Sequence, residues 1–304
     1  MRAQLMAWLQ AMRPLAQVNL AVPLLLGQAM AFAWRGVFSF PMLAWTLALS
    51  VSWHLLIVFA NDYADRDADR LNTTYNEFSG GSRVLPEGKI PPAVLGWAAI
   101  SMLVQLVGVA LYCAFAHDRM MLLPLVGAGL VVLWAYNFGP RISYRGHGET
   151  LQGLGVGVVL PLVGFVMQAG DLDGVHLLAL VPCFVVAAAS HILTALPDYP
   201  SDLAAGKRTY AVVRGQYLAR RHFLELVVIA AAATPLVLDQ VMWQLAMVAA
   251  VPGLIVLSTC IQLLGTADAR DRNECRAFVI RGGAATNVLL LCWILALVGT
   301  TVWG

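Results

Sequence analysis

Apolar residues in this chain fall into long uninterrupted runs, without the period-2 alternation of a half-buried strand or the one-sided stripe of a surface helix. A helix needs about 20 mostly apolar residues to cross a bilayer. The pattern predicts nine such segments, near 15–34, 41–60, 92–116, 121–138, 153–169, 176–197, 223–238, 241–265 and 279–302. The segments at 121–138, 153–169 and 223–238 are the shortest. Between the runs lie two long polar loops, Asn61 to Pro91 and Asp198 to Arg221, and a shorter charged one, Thr266 to Arg281.

Composition agrees with a lipid solvent. Of the 304 residues, 60% are hydrophobic and only 12% charged, with a mean hydropathy of +0.75. A soluble domain carries about twice that charge. The net charge is +2 with no basic stripe, so nucleic acid is not an expected partner. The cysteines (Cys113, Cys183, Cys260, Cys275, Cys292) show no CxxC spacing and read as small buried hydrophobes. The first apolar run lacks a small-residue cleavage site and is expected to be a retained span.

Basic residues set the expected orientation. Of the 19 Lys and Arg, all but Arg35 and Arg119 lie on the side of the N-terminus, which places that side in the cytoplasm and the C-terminus outside. Six of the 17 acidic residues fall in the loop after the second span, also on that side.

Those acids follow a pattern. The chain reads Asn61-Asp62-Tyr63-Ala64-Asp65-Arg66-Asp67-Ala68-Asp69-Arg70 after the second span and Thr194-Ala195-Leu196-Pro197-Asp198-Tyr199-Pro200-Ser201-Asp202 after the sixth. Asn61, Asp65 and Asp69 recur 133 positions later as Thr194, Asp198 and Asp202. The i, i+4, i+8 spacing keeps three side chains on one side of a helix. The repeat suggests two four-helix halves, about 1–138 and 139–265, followed by a ninth helix at 279–302. Asp67 points away on the same wheel, and Asp62 lies to one side.

Carboxylates gathered on one face repel, by roughly 4 kcal/mol for unit charges ~4 Å apart at an effective dielectric of 20. A divalent cation relieves that cost. Mg²⁺ takes oxygen ligands, typically one or two carboxylates together with substrate phosphates. A single acidic run could be a solvated loop, but a repeat at constant offset on one side argues for a shared site. Glycine and basic residues flank both motifs: Ser79-Gly80-Gly81-Ser82-Arg83 and Gly206-Lys207-Arg208-Thr209. Arg83, Lys207 and Arg208 suit a diphosphate, whereas Arg214, Arg220 and Arg221 suit headgroup anchors. The third loop on this side holds Tyr136, Asn137, Phe138, Arg141, Tyr144 and Arg145, whose aromatic faces could steady a carbocation or form an interfacial belt. His54 and His191, each without a second ligand-spaced histidine, are expected to be packed or hydrogen-bonded.

These motifs resemble the UbiA superfamily of intramembrane prenyltransferases over essentially the whole chain. The resemblance rests on the NDxxDxxxD pattern at Asn61, Asp62, Asp65 and Asp69, and on DxxxD at Asp198 and Asp202 followed by GKRT. It implies an all-α integral membrane protein, with nine transmembrane helices in a ring around a central cavity capped by cytoplasmic loops. It also implies an enzyme that ionises a prenyl diphosphate with Mg²⁺ and attaches the allylic cation to an aromatic acceptor. Carried over residue by residue, Asn61, Asp65, Asp198 and Asp202 ligate Mg²⁺ with Asp69 in support. Asn61, Arg83, Lys207 and Arg208 hold the diphosphate, while Asp65, Asp198, Tyr136 and Arg141 are the catalytic candidates. Many members carry a YxxxK motif. Here the lysine position after Tyr136 is Pro140, with Arg141 beside it. The segments Phe78 to Gly88 and Ser143 to Glu149 look more like the 1,4-dihydroxy-2-naphthoate branch of menaquinone synthesis than the 4-hydroxybenzoate branch. A terpene cyclase would use the same acidic motifs without an acceptor. A cation-coupled transporter would also combine repeats with intramembrane carboxylates, but it would place them at mid-membrane.

Overall fold

A computed structural model describes residues 2–73, 81–239 and 242–303, and among them all regular structure is helical. The elements are α1 (Arg2–Met12), α2 (Val18–Arg35), α3 (Phe40–Leu71), α4 (Pro92–Ala116), α5 (Leu122–Asn137), α6 (Gly148–Leu154), α7 (Leu160–Ala169), α8 (Leu180–Ala195), α9 (Tyr199–Ala204), α10 (Tyr210–Arg214), α11 (Gln216–Ala232), α12 (Thr234–Val237), α13 (Trp243–Ile261) and α14 (Arg272–Trp303). A π-helical turn, Gly155–Val159, joins α6 to α7.

Each expected apolar segment falls on one or two of these helices. Seven described stretches are long and apolar enough to cross a membrane, and Leu122–Asn137 is a shorter apolar helix. The expected 223–238 segment divides between α11 and α12, and α11 begins among charged residues that include Arg220 and Arg221. Arg220 departs from the headgroup-anchor expectation. It is 4% exposed, and its guanidinium donates to the carbonyls of Leu264 and Ala267, tying α11 to the turn after α13.

Buried side chains form two cores. One gathers α1, α3, α4 and α5, and the other gathers α8, α11, α13 and α14. The packed pair α2 and α7 stands between them: Leu20 and Leu24 face the first core, Leu26 and Met30 the second. That pair touches backbone to backbone. A Cβ on Gly27 would overlap the carbonyl of Pro161, and one on Gly164 would overlap the carbonyl of Leu24. Small residues permit this approach in lipid, where packing rather than hydrophobicity drives helices together. A buried polar chain sits at one end of the wall, with Gln168 donating to Gln28 at 3.1 Å and Gln28 to Thr46 at 2.5 Å.

Length positions the site. α3 has 32 residues, which at 1.5 Å each is roughly 48 Å, against a hydrocarbon core of about 30 Å. Its surplus turns carry the first acidic motif beyond the apolar segment.

Candidate functional site

The first motif stays helical throughout, since no proline or glycine interrupts Asn61 to Leu71. Asp62, 3% exposed, is held by Arg13, by the hydroxyl of Ser82 and by the Ser82 amide at 3.3 Å. Asp65, 7% exposed, accepts from Lys207 Nζ at 3.0 Å, Tyr144 Oη at 3.0 Å and Asn61 Nδ2 at 3.2 Å. Asn61 Nδ2 also donates to Asn137 Oδ1 at 3.1 Å. Asp67 is exposed and pairs with Arg70 at 3.4 Å, facing away as the helical wheel requires.

The second motif repeats the spacing but not the backbone. Pro197 and Pro200 interrupt it. α8 ends at Ala195, Leu196–Asp198 is a 3₁₀ turn, and Asp202 sits on α9. A proline lacks the N–H that continues a helix. Thr194, still on α8, therefore does not share a continuous helix with Asp198 and Asp202: it is exposed, and its hydroxyl donates back to the Ser190 carbonyl at 3.1 Å. Asp198 accepts from Asn72 Nδ2 at 2.9 Å, one turn beyond Asp69.

Lys207 joins the motifs. Gly206 takes φ +69° after α9, a left-handed conformation natural to glycine. The Lys207 amide donates to the Asp202 carbonyl at 2.8 Å. Its ammonium turns inward, 3.0 Å from Asp65 and 3.9 Å from Asp202. Burial works against the ammonium, but the charges of Asp65 and Asp202, together with Tyr136, outweigh it and hold Lys207 well above its ordinary pKa. The face of Tyr144 supports two cations, Arg141 at 4.0 Å and Lys207 at 5.1 Å. Burial, and then the neighbouring Asp65 charge, push the Tyr144 phenol up to about 12, so it remains a donor to Asp65 at neutral pH.

The remaining candidates are nearby. Arg83 adopts φ +65° and donates to the Asp69 carbonyl. Gly81 lies against the carboxylates themselves: a Cβ there would overlap the side chain of Asp69 and come within 3.1 Å of Asp62. Its neighbours Ser79 and Gly80 lie outside the described residues, as does Phe78. The Arg208 side chain is exposed, while its amide donates to the Tyr144 carbonyl at 3.1 Å. Tyr136 Oη lies 2.8 Å from His191 Nε2, a pairing the sequence did not signal. His54, as expected, is hydrogen-bonded, its Nε2 lying 2.8 Å from the Met12 carbonyl.

Among the described residues no three His, Cys, Asp or Glu side chains converge closely enough to hold one ion. The donor chemistry nonetheless suits a hard divalent cation. Asp65 and Asp202, one from each motif, offer only oxygen and already share one buried positive charge. Beside the site, a cavity of about 570 Å³ lies between α3, α4 and α5. It is lined by apolar and aromatic side chains including Leu56, Tyr63, Trp97, Ile100, Leu133 and Phe138. Its residues Ala60 and Phe138 are the chain neighbours of the hydrogen-bonded Asn61 and Asn137.

Residues 20–281 match the UbiA prenyltransferase family. Among curated proteins, the chain is 25% identical over 305 residues to the 1,4-dihydroxy-2-naphthoate octaprenyltransferase of Mycobacterium tuberculosis, covering 98% of this chain and 97% of that one. It is 26% identical over 208 residues to the enzyme of the same description from Bacillus subtilis, covering 68% of this chain and 65% of that one. Over 195 residues it is 30% identical to the 4-hydroxybenzoate octaprenyltransferase of a Marinomonas strain, covering 57% and 63%. The chain thus spans slightly under two thirds of the Bacillus and Marinomonas proteins and nearly all of the Mycobacterium one. Among solved structures, the fold is shared with a UbiA homologue from Archaeoglobus fulgidus bound to DMAPP and Mg²⁺, at a TM-score of 0.69 and 17% identity over 96% of this chain and 99% of that one.

Proposed function

Because the chain belongs to the UbiA prenyltransferase family, we propose that it transfers an isoprenyl group from a prenyl diphosphate to an aromatic acceptor, 1,4-dihydroxy-2-naphthoate, with Mg²⁺ as cofactor. The observation that carries this reading is the meeting of the two acidic motifs on the buried Lys207, next to an apolar cavity. Relatives described as naphthoate octaprenyltransferases support the acceptor. An Archaeoglobus homologue of the same fold, bound to DMAPP and Mg²⁺, supports the donor and the metal.

In this reading Asp65, Asp198 and Asp202, with Asn61 and Asp69, would hold the ion. Mg²⁺ supplies Lewis acidity to the diphosphate oxygens. Lys207, Arg83 and Arg208 bind and orient the diphosphate, whose oxygens gain negative charge as the allylic C–O bond breaks. Preorganised cations lower that barrier because they need no reorganisation at the moment of reaction. Arg141 and Lys207 on the Tyr144 face keep that ring in register with Asp65. The cavity between α3, α4 and α5 accepts the apolar chain and excludes water from the cation.

The same reading takes the protein as nine spans around a central cavity, in two four-helix halves (about 1–138 and 139–265) with a ninth helix at 279–302. The basic-residue distribution supports an N-terminus and acidic loops facing the cytoplasm and a C-terminus outside, across the cell's inner membrane. The test is a product assay on the full chain in lipid vesicles with Mg²⁺ and geranylgeranyl diphosphate. Acceptors are 1,4-dihydroxy-2-naphthoate, 4-hydroxybenzoate or none, and products are read by mass spectrometry. A prenylated naphthoate that depends on Mg²⁺ is the expected outcome. A new terpene in the absence of acceptor would replace the transferase with a cyclase.

A further inference from the structure

His191 lies near the C-terminal end of α8, 9% exposed, and its Nε2 meets the Tyr136 hydroxyl at 2.8 Å. Its Nδ1 is buried and has no hydrogen-bond partner. Leaving a buried polar atom unsatisfied is destabilising, so packing alone does not select histidine here. The site is tight. A Cβ on Gly148 would come within 2.8 Å of His191 Cε1 and 3.4 Å of a Tyr136 ring carbon, so only glycine lets the start of α6 close against the pair. Tyr136 follows from α5 directly into Asn137, the partner of Asn61, and its phenol is in electrostatic reach of Lys207. The pair therefore leads from the proposed diphosphate site to a buried imidazole.

We infer that Tyr136 and His191 together take the proton that the hydroxylated aromatic acceptor loses on prenylation, with His191 acting through Tyr136. This rests on the aromatic-acceptor reading above. As the ring carbon bonds to the allylic carbon, whose C–O bond breaks with its electron pair leaving on diphosphate, the acceptor's O–H breaks and its electron pair forms a ring carbonyl. The proton lost from that O–H passes to Tyr136 Oη, and the proton of Tyr136 passes to His191 Nε2. The alkylated carbon then sheds its own substituent, as a proton or as carbon dioxide, and the carbonyl takes a proton back to restore the aromatic ring. Tyr136 ends neutral and His191 ends as imidazolium, with no oxidant or reductant consumed. The negative charge freed on the departing diphosphate is at the same end of the bundle when that imidazolium forms.

The experiment compares wild type, His191→Gln and Tyr136→Phe as full chains in lipid vesicles. Each receives Mg²⁺, geranylgeranyl diphosphate and whichever of 1,4-dihydroxy-2-naphthoate and 4-hydroxybenzoate the wild type prenylates. Glutamine keeps a hydrogen-bonding group at the position of Nε2 but cannot take a proton, so a merely structural role would be rescued by it. The expected result is a loss of roughly 100-fold in adduct formation in both variants, the scale of general acid–base catalysis. Diphosphate release should fall by less, with free prenyl alcohol making up the difference, and KM for the diphosphate should be unchanged. An adduct rate for His191→Gln within about threefold of wild type overturns the inference. So does an equal loss of release and adduct, because the pair then only holds the site together. If His191→Gln fails to elute as a single species, Tyr136→Phe, which loses one hydroxyl, decides by the same two readouts. Wild-type protein that releases diphosphate and alkylates no acceptor overturns the acceptor reading and this inference together, whereas normal adduct from both variants overturns this inference alone.

Discussion

The two acidic motifs share a spacing and differ in everything the backbone does with it. Asn61, Asp65 and Asp69 occupy consecutive turns of a 32-residue helix. Thr194, Asp198 and Asp202, at the same intervals, are divided among α8, a 3₁₀ turn and the six-residue α9. The first motif is a rigid rail that extends the bundle. The second is folded over by Pro197 and Pro200, so that the chain can reverse at Gly206 and send Lys207 back onto the rail. A second straight helix would carry its carboxylates outward, parallel to the first set. A matching residue interval therefore does not imply shared secondary structure, and the asymmetry between the motifs is what lets Lys207 reach both.

The comparison can be broken most severely at the carboxylates. Asp65→Asn and Asp198→Asn are each expected to lower prenyl transfer by ~10³-fold, the upper range for losing one preorganised charge-stabilising group. Asp67→Asn, exposed and facing away, should leave the rate unchanged, and product quantification on all three variants checks both statements. Next comes the link between the motifs. Lys207→Met leaves Asp65 and Asp202 facing each other without a cation, and breaking a buried pair typically costs about 3–5 kcal/mol. Thermal unfolding in detergent should show a large drop in melting temperature, and added Mg²⁺ should recover more of it for this variant than for wild type. Straightening the second motif is a gentler change. Replacing Pro197 and Pro200 together by alanine should cost about tenfold in turnover through misplacement of Asp198 and Asp202, with KM and rate measured at constant protein fold. The smallest effect is expected at Asn72→Ala, which removes one donor to Asp198 and so about 1 kcal/mol, or roughly fivefold in rate.

What the sequence made legible follows from what is local. Runs of apolar residues mark helices because lipid leaves the backbone no other partner than itself, and each expected segment, in its described residues, falls on one or two helices. The i, i+4 spacing of Asp65 and Asp69 was legible as one helical face, and both do sit on successive turns of α3. The contacts that assemble the site are between distant positions and carry no periodic signal. Tyr144 and Asp65 are 79 residues apart, Asn72 and Asp198 are 126, and Tyr136 and His191 are 55. Arg220 was misread because a guanidinium that caps buried carbonyls looks, in sequence, like one resting among headgroups. The departure at Thr194 was readable in principle, since two prolines within four residues exclude a regular helix.

The glycine contacts between α2 and α7 decide how this molecule can deform. Where Gly27 meets Pro161 and Gly164 meets Leu24, main chain touches main chain and no side-chain rotamer stands between them to yield. The central wall is therefore a keel. The bundle cannot widen by spreading that seam, and any give must come from joints made of side chains alone. The flank between α4 and α5, where Trp97 and Trp134 stand exposed beside the cavity, is such a joint. Trp97 and Trp134 there border the cavity with side chains, where the wall behind them is fixed main chain.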